Sequence, residues 1–185
     1  MLASLWLLVA CTGTSDSGDT APDTDSDTPE TGCEAQPPSL VIGTGERDWE
    51  DLSAGDPVTM VHGPQGGWHM LGSARINNTG PIVRINFDIR TQGGVAISEN
   101  IYTVQMIRDE DCSGYYPGMY GYLNVAALED GELDTPPELL SNTPVVIEMT
   151  ATDLDGLQAT ASLEVLAVPD PVDVEKDTGD TGSAE

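Results

Sequence analysis

The sequence predicts an all-β domain, an antiparallel β-sandwich, flanked by two polar acidic segments. Apolar and polar residues alternate with a period of two in most of its apolar segments, and turns rich in Gly, Pro, Asn and Asp separate these segments. No window shows the apolar spacing of an amphipathic helix of about ten residues or more. The 185 residues leave room for one ordinary domain with tails, and we expect about eight strands within residues 33–168.

The clearest strand is "IVRINFDIR", residues 82–90, in which every second side chain is apolar. Such a strand packs one face on a core and exposes the other face to water. Three further segments follow the same pattern: "PVTMVH" (57–62), "WHMLGSARI" (68–76) and "NIYTVQMI" (100–107).

A hairpin is predicted near the end of the chain, from residues 145–152 and 157–168. Asp-Gly in the short connection 153–156 favours a tight turn, because glycine accepts the positive φ that such turns require. The segment "TATDLDGLQATAS" resembles the last two strands of bacterial immunoglobulin-like domains. That resemblance implies an immunoglobulin-like sandwich.

The charge of the chain is strongly negative, and the charge per residue is highest in its two end segments. Thirty-two acidic residues against six basic ones give a formal net charge of −26. Such a charge repels nucleic-acid phosphates, so we expect no nucleic-acid partner. The segment 11–32 and the tail 169–185 have too little apolar surface to offset their ordering entropy, and we expect both to be disordered.

The first residues, "MLASLWLLVAC", form an apolar run that is too short to span a bilayer. Residues 1–10 fit the apolar part of an export signal, and "LVAC" resembles the bacterial lipobox, which implies cleavage before Cys11 and fatty acylation of its sulfur, for example with palmitate. The alternative is a buried N-terminal strand with a chance cysteine. Acylation would place the protein at the outer membrane, attached to the lipid bilayer.

The whole chain resembles the surface lipoproteins of myxobacteria and related bacteria. The resemblance depends on the lipobox, on the Asp/Thr-rich segment 11–32 and on "GTGERDWEDLSAGDPVTMVHGPQGGWHM". It implies a location in the cell envelope and a β-sandwich fold, but no particular activity.

Two cysteines remain if Cys11 is acylated. Because export leads through an oxidising compartment, we expect a disulfide between Cys33 and Cys112. The alternative is a pair of free buried thiols, which the polar surroundings of Cys112, "RDEDCSGYYPG", disfavour.

A tyrosine-rich segment, "CSGYYPGMYGYLN", is the first candidate binding surface. Tyrosine is common in recognition loops because it combines a large rigid ring with a polar tip. We expect a loop that binds a protein or a glycan; the alternative is a long loop that packs its own aromatic rings. The candidate binding residues are Tyr115, Tyr116, Tyr120, Tyr122 and Trp68.

Both histidines of the chain lie in "HGPQGGWHM", between two strand candidates. Imidazole and thioether groups bind copper, so His62, His69, Met60 and Met70 are candidate metal ligands. Strand alternation places His62 opposite Trp68 and directs the two histidines to different faces, unless the glycines form a bulge. The alternative is a plain glycine-rich turn with half-exposed histidines.

Calcium is the second metal hypothesis. Asp153 and Asp155 in the predicted turn, together with the acidic residues 109–111, could supply carboxylates at one end of the sandwich. The alternative is that these are solvated turn residues.

The sequence contains no motif of a known catalytic class. It has no GxSxG, no HExxH and no phosphate-binding glycine loop, and no carboxylate pair stands out among so many acids. We therefore expect a non-catalytic binding or scaffolding module rather than an enzyme. A metal-binding module (copper or calcium) is one alternative, and a hydrolase with unassigned carboxylates is another.

Overall fold

A computed structural model of the chain describes residues 36–64, 66–110, 112–128 and 135–171. These residues form ten strands and one five-residue helix, which confirms the predicted all-β class. The strands are β1 (Ser39–Thr44), β2 (Glu50–Asp51), β3 (Pro57–His62), β4 (Trp68–Asn77), β5 (Ile82–Thr91), β6 (Ala96–Gln105), β7 (Ile107–Glu110), β8 (Ser113–Tyr122), β9 (Thr143–Asp153) and β10 (Gln158–Pro169). The helix α1 is Pro136–Leu140.

All ten strands belong to one sheet. Its main order is β2-β1-β4-β3-β10-β9-β5-β6; β8 pairs with β4, and the short β7 pairs with β8. All strand pairs are antiparallel except β3 with β10, which run parallel. The sheet is therefore mixed rather than wholly antiparallel. A parallel pair needs a long connection, and almost the whole domain lies between these two strands in the sequence.

The sheet curls until two strands far apart in its order, β6 and β8, come together. The Tyr102 hydroxyl on β6 donates to the Tyr120 carbonyl at 2.7 Å and accepts from the Tyr120 N–H at 2.9 Å. Just after β8, the Asn124 N–H donates to the Ile97 carbonyl at 2.7 Å. These bonds connect β6 to β8 without a strand ladder between them.

The core lies inside this curled sheet and follows the predicted alternation of β5. Val83, Ile85, Phe87 and Ile89 are buried, as expected for one face of a half-buried strand. Opposite them, a Cβ added at Gly72 of β4 would lie 2.7 Å from the Phe87 ring. Glycine at this position therefore lets β4 pack closely against β5.

The predicted hairpin near the end of the chain is β9–β10, and it continues without a break from Thr152 opposite Gln158 to Thr143 opposite Ala167. Its turn includes Gly156, which has a positive φ of 86° as expected for Asp-Gly.

The tyrosine-rich segment is a strand, not a loop. Residues 113–122 form β8, which pairs with β4 over nearly its whole length and with β7 at its start. The expectation of a loop was wrong because Gly and Pro were taken as turn signals, whereas small residues here allow close packing. A Cβ added at Gly121 would lie 2.6 Å from Ile89 Cδ1, so this glycine accommodates the core inside a strand.

Several predictions concern residues outside the described ranges. They are the export signal 1–10, acylated Cys11 with the segment 11–32, Cys33, and most of the acidic tail 169–185. Within the described ranges, no helix combines the length and apolar character that crossing a bilayer would require.

Candidate functional site

The β3–β4 hairpin presents the first of the candidate side chains. As predicted, His62 lies opposite Trp68, and their ring centroids are 4.9 Å apart. The Gly63 N–H donates to the Gly67 carbonyl at 2.9 Å and closes the turn. The turn therefore holds the His62–Trp68 pair at one end of the sheet.

The two methionines proposed as metal ligands do not join the histidines. Met60 and Met70 lie opposite each other across the hairpin and are completely buried in the core. His69 contacts tyrosine rings on the other face of β4. The proposed set of His62, His69 and two methionines is therefore not assembled, because neighbouring strand residues point to opposite faces.

The four tyrosines of β8 have different neighbours. The β4–β8 register sets Tyr122 opposite His69 and Tyr120 opposite Leu71. Tyr116 instead packs against the core. Only Tyr120 and Tyr122 of the four candidates therefore meet a histidine.

The fourth tyrosine, Tyr115, lies opposite Arg75 on the same pair of strands. The Arg75 guanidinium is 4.5 Å from the Trp49 ring centroid and 5.9 Å from that of Tyr115. It also forms an ion pair with Asp109 at 3.2 Å. Tyr115 is therefore already engaged by a cation of the protein itself.

Three rings form an aromatic cluster on the outer face of the sheet. The centroids of Tyr120 and Tyr122 are 6.0 Å apart with their planes inclined by only 24°. The His69 ring meets Tyr120 edge-on at 4.7 Å. Because the Tyr102 hydroxyl binds both backbone groups of Tyr120, this part of β8 is held in place at its free edge.

These rings line a cavity of about 580 Å³, which we call the aromatic cavity. Its volume lies in the range typical of small-molecule sites. The residues that line it outside the hairpin turn are Glu46, Val61, His62, His69, Leu71, Tyr120 and Tyr122. Gly63, Pro64 and Gly66 of the hairpin turn complete it.

Glu46 is brought to the cavity by the β1–β2 connection. The Gly118 N–H of β8 donates to the Gly45 carbonyl at 3.0 Å. Gly118 has a positive φ of 69°, and a Cβ there would lie 2.3 Å from the Glu46 carbonyl oxygen. Glycine at 118 therefore allows the connection to rest directly on β8.

The aromatic cavity has a simple electrostatic character. Among its described lining residues, Glu46 is the only acid, and there is no lysine or arginine. Loss of solvent around the imidazole lowers the pKa of His69 below its usual value, so this ring is neutral near pH 7. The permanent charge at the cavity is therefore negative.

Two of the carboxylates proposed for calcium, those of Asp153 and Asp109, bind other groups of the protein, and Asp111 lies outside the described residues. Asp153 Oδ1 accepts the N–H groups of Asp155 and Leu157, and its Oδ2 accepts that of Gly80. Asp109 pairs with Arg75. Within the described part of the chain, no three His, Cys, Asp or Glu side chains gather as a metal site would require.

Cys112 adopts a positive φ of 65° at the turn before β8. Its predicted partner, Cys33, is outside the described residues.

Sequence reasoning did not find Glu46, Arg75 or Tyr102. Alternation along β6 could have marked Tyr102 as inward-facing. No local signal connects Glu46 to the tyrosines, because their proximity arises from contacts between segments more than 70 residues apart.

Comparison with known proteins gives only distant structural likeness. No protein-family model and no curated protein sequence matches the chain. It is similar to the CooA pilin subunit from enterotoxigenic Escherichia coli with a TM-score of 0.35 and 11% identity, over 74% of this chain and 100% of that one. It is also similar to the N-terminal domain of PorA, with a TM-score of 0.25 and 12% identity, over 69% of this chain and 97% of that one. At these TM-scores neither likeness carries an argument about function.

Proposed function

We propose that this protein is a lipid-anchored envelope protein whose β domain acts by binding, with the aromatic cavity as its ligand site. The observation that carries the proposal is the convergence of His62, His69, Tyr120 and Tyr122 on one concave surface from two neighbouring hairpin strands and β8. Binding sites commonly combine such apolar rings with a few polar groups. The ligand is a protein segment or a glycan, both of which use exposed tyrosine as a contact.

The anchor is proposed from the sequence "LVAC" at residues 8–11. Acyl chains on Cys11 would attach the domain to the outer membrane through a segment of about twenty residues, long enough to hold it tens of ångströms from the lipid. In this compartment Cys33 would be the disulfide partner of Cys112.

The anchor predicts that the full chain, produced in a bacterium fed an alkyne-labelled fatty acid, carries the label and sediments with membranes. Cys11→Ala should lose both the label and the sedimentation, because Cys11 is the cysteine that follows the lipobox residues "LVA". Label that persists in Cys11→Ala, or an unlabelled chain in the cytosol, would contradict the anchor.

Binding is tested by screening the full chain on glycan and peptide arrays and comparing Tyr122→Ala with Ile101→Ala. Both side chains are 60% exposed, so both variants should fold. Removing the Tyr122 ring should weaken binding about tenfold or more, since aromatic anchors contribute on the order of 1–3 kcal/mol. Ile101→Ala, on β6, should bind as the original chain does.

Two outcomes count against the proposal. One is that no array ligand binds. The other is that Tyr122→Ala and Ile101→Ala bind equally well, which would place the binding surface elsewhere.

A further inference from the structure

We infer that the aromatic cavity selects a ligand carrying an organic ammonium group, which lies against the Tyr120 and Tyr122 rings near Glu46. The inference rests on the proposed function and names the chemistry of the ligand for the same site. Three observations carry it: the exposed ring surfaces, the sign of the charge and an internal example of the same interaction.

The first observation is the ring surface. Tyr122 is 60% exposed, and Tyr120 lies beside it in a nearly parallel plane. A cation above an aromatic face, within about 6 Å of the centroid, is attracted by the negative potential of the ring. The exposed Tyr122 ring therefore offers a surface to a methylated or primary ammonium group, with the stacked Tyr120 ring beside it.

The second observation is the charge. Glu46 is the one charged side chain among the described lining residues, and the lowered pKa of His69 keeps that imidazole neutral. The whole chain has a formal net charge of −26. Anionic ligands are therefore repelled and cations attracted, both on approach and in the cavity.

The third observation is that the same face of β4 and β8 already holds a cation. Arg75 lies over Tyr115 and Trp49, opposite Tyr115 in the strand register. Farther along the same two strands, the described residues place no arginine or lysine over Tyr120 or Tyr122. The cavity therefore has aromatic rings like those around Arg75, but no described arginine or lysine lies against them. In our inference the ammonium group of the ligand takes that position.

The test titrates the full chain with choline and with 3,3-dimethylbutan-1-ol, its uncharged isostere, by isothermal titration calorimetry. Choline should bind at least about fivefold more tightly, because only the cation interacts with the ring faces and with Glu46. A second arm uses acetylated trimethyllysine amide. Tighter binding in this arm identifies a peptide side chain as the source of the ammonium group, and tighter choline binding identifies a free headgroup.

Matched variants separate charge from shape. Glu46→Gln and Tyr122→Leu should each weaken choline binding several-fold, whereas Tyr122→Phe should nearly preserve it because the ring face remains. Glu164→Gln removes the same charge from exposed β10 and should change binding little.

Equal affinity for choline and its isostere, or loss of binding that is no greater in Glu46→Gln than in Glu164→Gln, would overturn the inference. Binding of uncharged glycans at Tyr122 without any response to choline would also overturn it, while the proposed function would stand. If neither the arrays nor choline show Tyr122-dependent binding, both proposals fail.

Discussion

The hydroxyl of Tyr102 makes both of its hydrogen bonds to the backbone of a single residue, Tyr120. It thereby satisfies the N–H and C=O groups of Tyr120, which lie on an edge of β8 that pairs with no described strand at this point. Tyr120 lines the aromatic cavity, so this contact fixes one cavity ring against β6. In the order of the sheet, β6 is far from β8.

Tyr102→Phe should lower the free energy of unfolding by about 1–2 kcal/mol, since the ring stays and only the hydroxyl is lost from a half-buried site. Chemical denaturation measures this loss. Tyr122→Phe is the matched control, because its exposed hydroxyl makes no comparable contact, and its effect should stay within about 0.5 kcal/mol. Equal effects in the two variants would show that the Tyr102 hydroxyl does not join the strands.

At the residue scale, sequence reasoning identified the histidines and tyrosines of the cavity, but neither Glu46 nor the grouping of these residues. His62 opposite Trp68 follows from the short hairpin turn and was predicted correctly. The metal hypothesis failed for the methionines because buried thioethers fill the core just as other apolar side chains do. Residue type alone does not distinguish a ligand from a core residue.

At the element scale, the β9–β10 turn is stabilised by one carboxylate. Asp153 accepts three backbone N–H groups: two inside its own turn and one from Gly80, which precedes β5. The side chain is 7% exposed, so these bonds replace water almost completely. This residue connects the turn to the neighbouring strand.

Asp153→Ala should destabilise the domain by about 3 kcal/mol, because three backbone donors lose a charged acceptor in part-buried hydrogen bonds. Asp155→Ala removes an exposed carboxylate two residues away and should cost less than about 0.5 kcal/mol. Thermal and chemical unfolding of both variants measures the difference. A loss below 1 kcal/mol in Asp153→Ala would contradict this account of the turn.

Strands were predictable where alternation was regular, as in β5, and hairpins where Asp-Gly marked a turn. β8 was missed because Pro117 and three glycines interrupt its pattern, and because a register shift against β4 brings both Tyr116 and Met119 to the core and so breaks the period of two. The parallel pairing of β3 with β10 has no local signal at all, since it depends on how the whole chain folds back.

At the scale of the whole molecule, the curled sheet encloses the core on its inner face. The aromatic cluster of His69, Tyr120 and Tyr122 lies on its outer face. From the strong negative charge we expect such a surface to disfavour nucleic acid and other polyanions and to favour cationic partners. The sequence itself contains this charge, and the period-two alternation between turn-rich segments predicted the all-β class. It could not predict the cavity, whose walls come from the β1–β2 connection, the β3–β4 hairpin and β8.

The central claim is that ligands bind at the aromatic cavity, and nuclear magnetic resonance titration of the full chain with the best array ligand tests it most directly. The account predicts that the largest shifts occur at Tyr120, Tyr122 and His69. Tyr122 also borders another cavity, which Ser98 and Asn100 of β6 line. Shifts centred on Ser98 and Asn100 without shifts at His69 and Tyr120, or shifts spread evenly over the surface, would contradict the account.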